Sequence, residues 1–176
     1  MNPLLAASLF AAALLGAEPT LSITETGDTV IGTLTLHATP VQVRGVLSNP
    51  LATAHLSPDT VSAEFTASGA CYELSVRVRG LLNPMAMRSR RCPTADGWVE
   101  DLVASEDFKR YHQTWSVIPL DGGGTRVEYR TTIELVLPAP RVLLVESTKR
   151  SVDASLKRLA ERLGEGGWSA WGDHGE

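Results

Sequence analysis

The chain has 176 residues, of which 43% are hydrophobic and 20% are charged. This composition is typical of one globular domain that can bury a full core. The formal net charge is −4 at pH 7, which argues against nucleic acids and anionic membranes as partners. We therefore expect a single monomeric domain that does not bind nucleic acid.

Residues 1–17 have the pattern of a secretory leader. The apolar run from Pro3 to Leu15 is long enough for the hydrophobic region of such a leader and too short to span a bilayer. Ala17 supplies a small residue before a cleavage point, although no Lys or Arg precedes the run. An uncleaved anchor and a buried N-terminal helix are the alternatives. We expect residues 1–17 to be a signal peptide, which makes the protein periplasmic or secreted.

Strands are predicted for most of the region that follows. Alternating apolar residues between Thr20 and Ala38 indicate two strands joined by a tight turn. Thr39 and Pro40 have the pattern of a helix start, and Asn49-Pro50 ends this short helix. Six further strands, connected by short turns, are predicted at residues 60–67, 70–80, 85–93, 97–105, 108–120 and 125–137.

One long amphipathic helix is predicted from Pro138 to Leu163. Its apolar residues recur at helical spacing on one face. They are Val142, Val145, Val152, Leu156, Leu159 and Leu163. Gly164 follows as a stop signal, so the domain is predicted at 18–163 and a disordered Gly-rich tail at 164–176.

The second and third strands of the six align in one register when they turn about Leu81–Leu82. Cys71 then faces Cys92, and opposite charges and apolar residues also pair along the two strands. The apolar face contains Tyr72 and Leu74, and Arg91 falls on the same side. Opposed strand residues lie close to the distance that a disulfide requires. We therefore predict a structural Cys71–Cys92 disulfide, as suits an exported protein.

The last hairpin is predicted to turn at residues 121–124. In this register Trp115 faces Arg130 and His112 faces Ile133. His112, Thr114, Ser116 and Thr131 then point inward, and Trp115 stacks over Arg130 on the outer face. A bulge in the Gly-rich turn would reverse these faces.

This order of elements resembles the START-like superfamily, whose bacterial members include polyketide cyclase/dehydrase-like (SRPBCC) proteins. The resemblance is carried by H-A-T-P-V-Q-V-R-G-V-L-S-N-P at 37–50, W-S-V-I-P-L-D-G-G-G-T-R-V-E-Y at 115–129 and L-P-A-P-R-V-L-L-V-E at 137–146. It implies an α+β helix-grip fold, in which a curved antiparallel sheet wraps around a long C-terminal helix. The motifs are architectural and say little about chemistry.

The resemblance also implies a cavity between sheet and helix for a lipid, sterol, polyketide-like or other hydrophobic small molecule. We expect an exported carrier or sensor of such a molecule, with two methionines in an adaptable wall. The candidate ligand-binding residues are Tyr72, Leu74, Val76, Met85, Met87, His112, Tyr129, Ile133, Val145, Lys149, Val152 and Leu156. An interaction protein whose cavity is filled by side chains is an alternative.

A cyclase- or dehydratase-like enzyme is a further alternative. His112, Lys149 and Tyr129 are the candidate acid and base residues. Lys149 interrupts the apolar face of the long helix, so its ammonium either enters the cavity or extends to water. The histidines show no metal-ligand spacing, and no phosphate-binding or nucleophile motif is present. We expect no metal and no cofactor.

Overall fold

Eight strands form one curved antiparallel sheet in the computed structural model, which describes residues 19–80 and 83–165. The strand order is β1-β2-β8-β7-β6-β5-β4-β3. The strands are β1 (Thr20–Thr26), β2 (Thr29–Leu36), β3 (Thr60–Ser68), β4 (Cys71–Val78), β5 (Met85–Pro93), β6 (Gly97–Ala104), β7 (Phe108–Pro119) and β8 (Thr125–Leu135). The helices are α1 (Pro40–Leu47), α2 (Pro50–Ala54) and α3 (Arg141–Arg162). The α+β helix-grip fold is confirmed. The predicted leader, the turn at Leu81–Leu82 and the tail from residue 166 lie outside the described residues.

Short side-chain caps start the first two helices. The hydroxyl of Thr39 accepts a hydrogen bond from the Gln42 backbone N–H, and the Gln42 side chain accepts one from the Thr39 N–H. Asn49 follows α1 and caps α2, since its Oδ1 accepts from the N–H of Ala52 at 3.0 Å. Helix α1 contacts β7, and α2 contacts β3 and β4. The two helices therefore cover the part of the sheet that α3 leaves open.

Helix α3 begins at Arg141, three residues after the predicted start, with Pro140 as the N-cap residue. A residue that precedes a proline is disfavoured in the helical conformation, so Pro140 holds the chain extended just before the helix. Val142 was predicted on the buried face but is 72% exposed, because helical spacing places it at the edge of the face that Thr148, Val152 and Leu159 bury. Val152, Leu156 and Leu159 are fully buried.

Gly32 permits the close approach of α3 to β2. A Cβ atom placed on Gly32 would lie 2.5 Å from Leu156 Cδ1 and 2.6 Å from Val152 Cγ1. These distances are shorter than van der Waals contact. Because Gly32 has no side chain, α3 packs directly against β2.

The end of α3 is tied to the start of α1. Gly164 adopts a φ of 78°, as expected for the glycine that ends a helix. The carboxylate of Glu165 accepts hydrogen bonds from the backbone N–H groups of His37 and Ala38. The first two residues of the predicted tail thus belong to the packed domain.

The predicted register of β4 and β5 is confirmed. Glu73 faces Arg90, and Val76 faces Met87. The predicted disulfide is present between Cys71 and Cys92, whose Cα atoms lie 4.3 Å apart.

The predicted register of β7 and β8 is wrong by one residue. Trp115 faces Tyr129, and His112 faces Thr132. The connection runs from residue 120 to residue 124, so it is one residue longer than predicted, and Gly122, Gly123 and Gly124 all have positive φ. A shift of one residue exchanges the two faces of a strand.

The shift in register reverses the predicted faces of β7. Trp115 points inward and is 2% exposed, so it does not stack over Arg130. His112, Thr114 and Ser116 point to the outer face. The inward placement of Thr131 on β8 is confirmed, since its side chain is 3% exposed.

The buried residues form two clusters. The larger lies beneath α3 and includes Leu34, Val127 and Leu156. The smaller lies on the other half of the sheet and includes Leu74 and Phe108. Among the described residues, no helix combines the length and the apolar character needed to cross a bilayer.

Candidate functional site

A cavity of about 430 Å³ lies between the concave face of the sheet, α2 and α3. It occupies the space between the two buried clusters. Its apolar wall includes Val76, Met85, Met87, Phe108, Ile133 and Val152. Residues from both buried clusters contribute to this wall, so the sheet and α3 hold the cavity open together.

A second hollow of about 450 Å³ lies between β8 and the start of α3. Its rim carries charged side chains, among which Arg141 pairs with Asp28 at 2.9 Å and Lys109 pairs with Glu134. These ion pairs are exposed to solvent. The apolar cavity is therefore the better candidate for a ligand site.

The structure places about half of the predicted ligand-binding residues at this cavity. Those that line it are Val76, Met85, Met87, Tyr129, Ile133 and Val152. Leu74 and Leu156 are buried in the two cores, and Val145 lines the second hollow. Tyr72 packs edge-on against Phe65, with ring centroids 5.5 Å apart.

His112 and Lys149 do not line the cavity. His112 lies on the outer face of β7, where its Nδ1 is 2.6 Å from Asp101 Oδ1. The Nζ of Lys149 lies 2.7 Å from Glu25 and 3.1 Å from Glu146. The hydrogen bond to Glu25, followed by that to Glu146, raises the pKa of Lys149. Of the three candidate acid and base residues, only Tyr129 lines the cavity.

A row of polar residues crosses the concave face, and sequence reasoning did not find it as a site. Arg91 on β5 faces Glu100 on β6, Glu100 faces Gln113 on β7, and Gln113 faces Thr131 on β8. Glu100, Gln113 and Thr131 line the cavity. Alternation along a strand would normally assign a glutamate or glutamine to the solvent side. The useful signal was the β4–β5 register, which already placed Arg91 inward.

Glu100 is the centre of this row and is 4% exposed. Its Oε1 accepts a hydrogen bond from Ser89 at 2.6 Å, and its Oε2 accepts one from Gln113 Nε2 at 2.8 Å. Arg91 lies 3.6 Å from the same carboxylate and donates to the carbonyl oxygen of Leu47 at 3.0 Å. The buried charge of Glu100 is thus both paired and hydrogen-bonded.

Arg91 itself is 1% exposed, although it belongs to the basic segment Arg88–Arg91. Its guanidinium carbon lies 5.5 Å from the centroid of the Trp98 ring. Burial lowers the pKa of Arg91, and the Glu100 carboxylate opposes this shift. The pair therefore anchors β5 and β6 to the end of α1.

Tyr129 connects this row to the aromatic part of the wall. Its hydroxyl donates to Gln113 Oε1 at 2.6 Å, and its ring stacks on Trp115. Burial raises the pKa of Tyr129, as does the nearby Glu100 carboxylate, while Arg91 lowers it in part. The Thr131 hydroxyl also lowers this pKa by its proximity, although it lies outside hydrogen-bond geometry. Tyr129 therefore keeps its proton and acts as a hydrogen-bond donor to Gln113.

Several solved structures share this fold at low sequence identity. A START superfamily protein from Mycobacterium smegmatis aligns with a TM-score of 0.69 and 17% identity, over 79% of this chain and 99% of that one. A STAR-related lipid transfer protein from Xanthomonas axonopodis aligns with a TM-score of 0.63 and 16% identity, over 82% and 98% of the two chains. An aromatase/cyclase from a Streptomyces species aligns with a TM-score of 0.62 and 17% identity, over 77% and 94%. Likeness at these identities establishes the fold alone.

The sequence gives a more direct assignment. No curated protein matches the chain in sequence. A family model described as "Polyketide cyclase / dehydrase and lipid transport" matches residues 28–164, which span β2 to the end of α3. The chain therefore belongs to the polyketide cyclase/dehydrase and lipid transport family.

Proposed function

We propose that the protein binds a hydrophobic small molecule in the cavity between the sheet and α3, and carries or senses it without chemical conversion. The observation that carries this proposal is the cavity of about 430 Å³ with its largely apolar wall. Family membership supports the same class of ligand. The contacts would come from Val76, Met85, Met87, Tyr129, Ile133 and Val152.

The physical chemistry of the wall suits such a ligand. Burial of apolar surface contributes about 25 cal/mol per Å², before the ordering costs of binding are subtracted. Met85 and Met87 are unbranched and polarisable, so they adapt to ligands of different shape. The volume of the cavity falls within the usual range for small-molecule sites.

A cyclase- or dehydratase-like activity is the second candidate, because Glu100 and Tyr129 line the cavity. Both carboxylate oxygens of Glu100 already accept hydrogen bonds from Ser89 and Gln113. The Tyr129 hydroxyl is likewise engaged by Gln113. These contacts favour a structural part for both residues, and therefore favour binding over catalysis. The cavity volume also argues against an interaction protein with a filled interior.

We further propose that the protein is exported to the periplasm or secreted. The leader-like residues 1–17 support this, as does the Cys71–Cys92 disulfide, because such bonds persist mainly in oxidising compartments.

Native mass spectrometry of the protein purified from its own host tests the binding proposal. A co-purified mass that solvent extraction assigns to a hydrophobic molecule is the expected result.

The Val76→Trp variant should lose this mass because the indole fills the cavity. Val61→Trp is the matched control, since Val61 lies on β3 and is 56% exposed. A mass retained by Val76→Trp, or a clean apo-protein from the host, would contradict the proposal. If incubation with the protein changes the mass of a molecule in the solvent extract, this result would favour the enzymatic alternative.

A further inference from the structure

Two buried polar atoms of the cavity wall have no hydrogen-bond partner among the described residues. They are Nε1 of Trp115 and Oγ1 of Thr131. The two residues are 2% and 3% exposed, and both line the cavity. An indole N–H can only donate, whereas a hydroxyl can donate or accept. Buried groups of this kind cost free energy unless a partner reaches them.

The two atoms belong to one patch of the concave face. Trp115 lies directly opposite Tyr129, and Thr131 lies two residues beyond Tyr129 on the same side of β8. Diagonal neighbours in an antiparallel pair are typically about 7–8 Å apart, within reach of a large aromatic side chain. The two side chains are therefore neighbours on the wall of one cavity.

The neighbouring polar groups of the row, Gln113 and Glu100, are already hydrogen-bonded. Gln113 donates to Glu100 with its Nε2 and accepts from Tyr129 with its Oε1. Glu100 accepts through both oxygens and lies beside Arg91. The groups of this patch that remain without a hydrogen-bond partner are mainly donors. A ligand group that fits the patch is therefore a hydrogen-bond acceptor.

The charge of the patch restricts that acceptor further. The Glu100 carboxylate lines the cavity and would repel an anionic ligand group. Arg91 offsets this repulsion only in part, because Glu100 lines the cavity whereas Arg91 is not among the lining residues. The patch therefore favours a neutral ligand oxygen over a carboxylate.

We infer that the ligand is a hydrophobic molecule with a neutral carbonyl or hydroxyl oxygen, and that it binds with this oxygen innermost. The oxygen accepts hydrogen bonds from Trp115 Nε1 and Thr131 Oγ1, and the apolar remainder lies against Met85, Met87 and Ile133. This inference rests on the proposed function and narrows it from any hydrophobic molecule to ketones, phenols and alcohols.

Equilibrium dialysis with matched probes tests the inference. Acetylnaphthalene and ethylnaphthalene share one ring system, and only the first carries an oxygen. The oxygen preference is defined as the Kd of ethylnaphthalene divided by that of acetylnaphthalene. Thr131→Val removes the hydroxyl at similar volume, so we expect the preference to fall about threefold to tenfold while ethylnaphthalene binds as before. Trp115→Phe should lower the preference by a similar factor.

Thr132→Val is the matched control. Thr132 is the next residue of β8, points to the outer face and bonds to the Thr29 hydroxyl at 2.8 Å. Its oxygen preference should equal that of the wild type. Near-ultraviolet circular dichroism checks that each variant is folded.

The outcomes separate the two proposals. Equal preference in the wild type, Thr131→Val and Trp115→Phe would overturn the inference and leave hydrophobic binding in place. Naphthoate binding as tightly as acetylnaphthalene would overturn the requirement for a neutral group. A wild-type protein that binds neither naphthalene would overturn the proposed function, and the inference with it.

Discussion

The indole of Trp115 lies flat against the phenol ring of Tyr129, with ring centroids 4.0 Å apart and ring planes inclined by 9°. This stack joins β7 to β8 on the concave face. It fixes the direction of the Tyr129 hydroxyl, which bonds to Gln113, and Gln113 bonds in turn to Glu100 on β6. A substitution at Tyr129 therefore changes both the aromatic wall and the hydrogen bonds around a buried carboxylate.

The Tyr129→Phe variant should be less sensitive to alkali than the wild type. Burial raises the pKa of Tyr129 in the folded protein above its unfolded value of about 10. The resulting stabilisation is complete below about pH 10 and is lost as the pH rises towards the folded pKa, because only the unfolded tyrosine ionises. Urea unfolding at about pH 8 and about pH 10.5 measures the change in the free energy of unfolding.

We expect a smaller decrease between these two pH values in the variant. At the lower pH the variant should be less stable by about 1 kcal/mol, because the hydrogen bond to Gln113 is lost. Tyr111, whose pKa is also raised mainly by burial, is present in both proteins, so its contribution to the alkaline response remains in the variant. The same decrease in both proteins would show that Tyr129 does not contribute to the alkaline response.

The Gly32→Ala variant should be destabilised by about 1–3 kcal/mol, because the added Cβ overlaps Leu156 and Val152 of α3. Gly45→Ala is the matched control. A Cβ on Gly45 would meet nothing within 4 Å, and Gly45 lies inside α1, so alanine there should stabilise by about 0.5–1 kcal/mol. Urea unfolding compares the two variants. A neutral Gly32→Ala would mean that α3 can move away from β2 without cost.

Removal of the disulfide should lower stability without changing the fold. The bond joins residues separated by 21 positions, and disulfides typically contribute about 2–4 kcal/mol. We expect a loss of this size for the Cys71→Ser/Cys92→Ser double variant in urea unfolding. Reductant should destabilise the wild type by a similar amount and leave the double variant unaffected. A wild type that is insensitive to reductant under unfolding conditions would contradict the prediction.

Substitution of His112 or Lys149 should leave ligand binding unchanged. His112 pairs with Asp101 on the outer face, and Lys149 pairs with Glu25 and Glu146, so neither side chain lines the cavity. The affinities of His112→Ala and Lys149→Ala for acetylnaphthalene should equal that of the wild type in equilibrium dialysis. Val76→Trp provides the positive control for lost binding. A clear loss of affinity in the His112 variant would place the ligand outside the cavity described above.

The β4–β5 register was predictable because independent preferences agreed on it. The pairing of Cys71 with Cys92, of Glu73 with Arg90 and of Val76 with Met87 selects the same alignment. One slipped residue would have broken all three. The inward position of Arg91 followed from this register, although its isolation from solvent did not.

The β7–β8 register lacked such agreement. The charge pair between Lys109 and Glu134 lies at the open end of the two strands, where a bulge interrupts the register, so it does not fix the alignment. The glycines of the turn allow more than one loop length. The alternation of Tyr111, Trp115 and Val117 was the better signal, because these apolar residues form one face of β7, which the predicted register placed on the outer side. The polar row at Glu100 and Gln113 escaped prediction for a different reason. Glu100 and Gln113 can be buried only because side chains on other strands hydrogen-bond to them, and a single sequence does not show those partners.

The capping of His37 and Ala38 by Glu165 has a mechanical consequence for α3. Close packing at Gly32 and this carboxylate hold the helix at its C-terminal half, whereas Val142 and Leu143 near its start are 72% and 59% exposed. Apolar packing therefore holds the C-terminal half of the helix, whereas the start of the helix is held by exposed contacts of Arg141 with Asp28 and the Gly27 carbonyl oxygen. Local opening requires least free energy where few apolar contacts must break. We therefore expect the first turns of α3, which carry the cavity-lining residues Leu143 and Leu144, to open most readily and admit a ligand while the C-terminal half stays packed on the sheet.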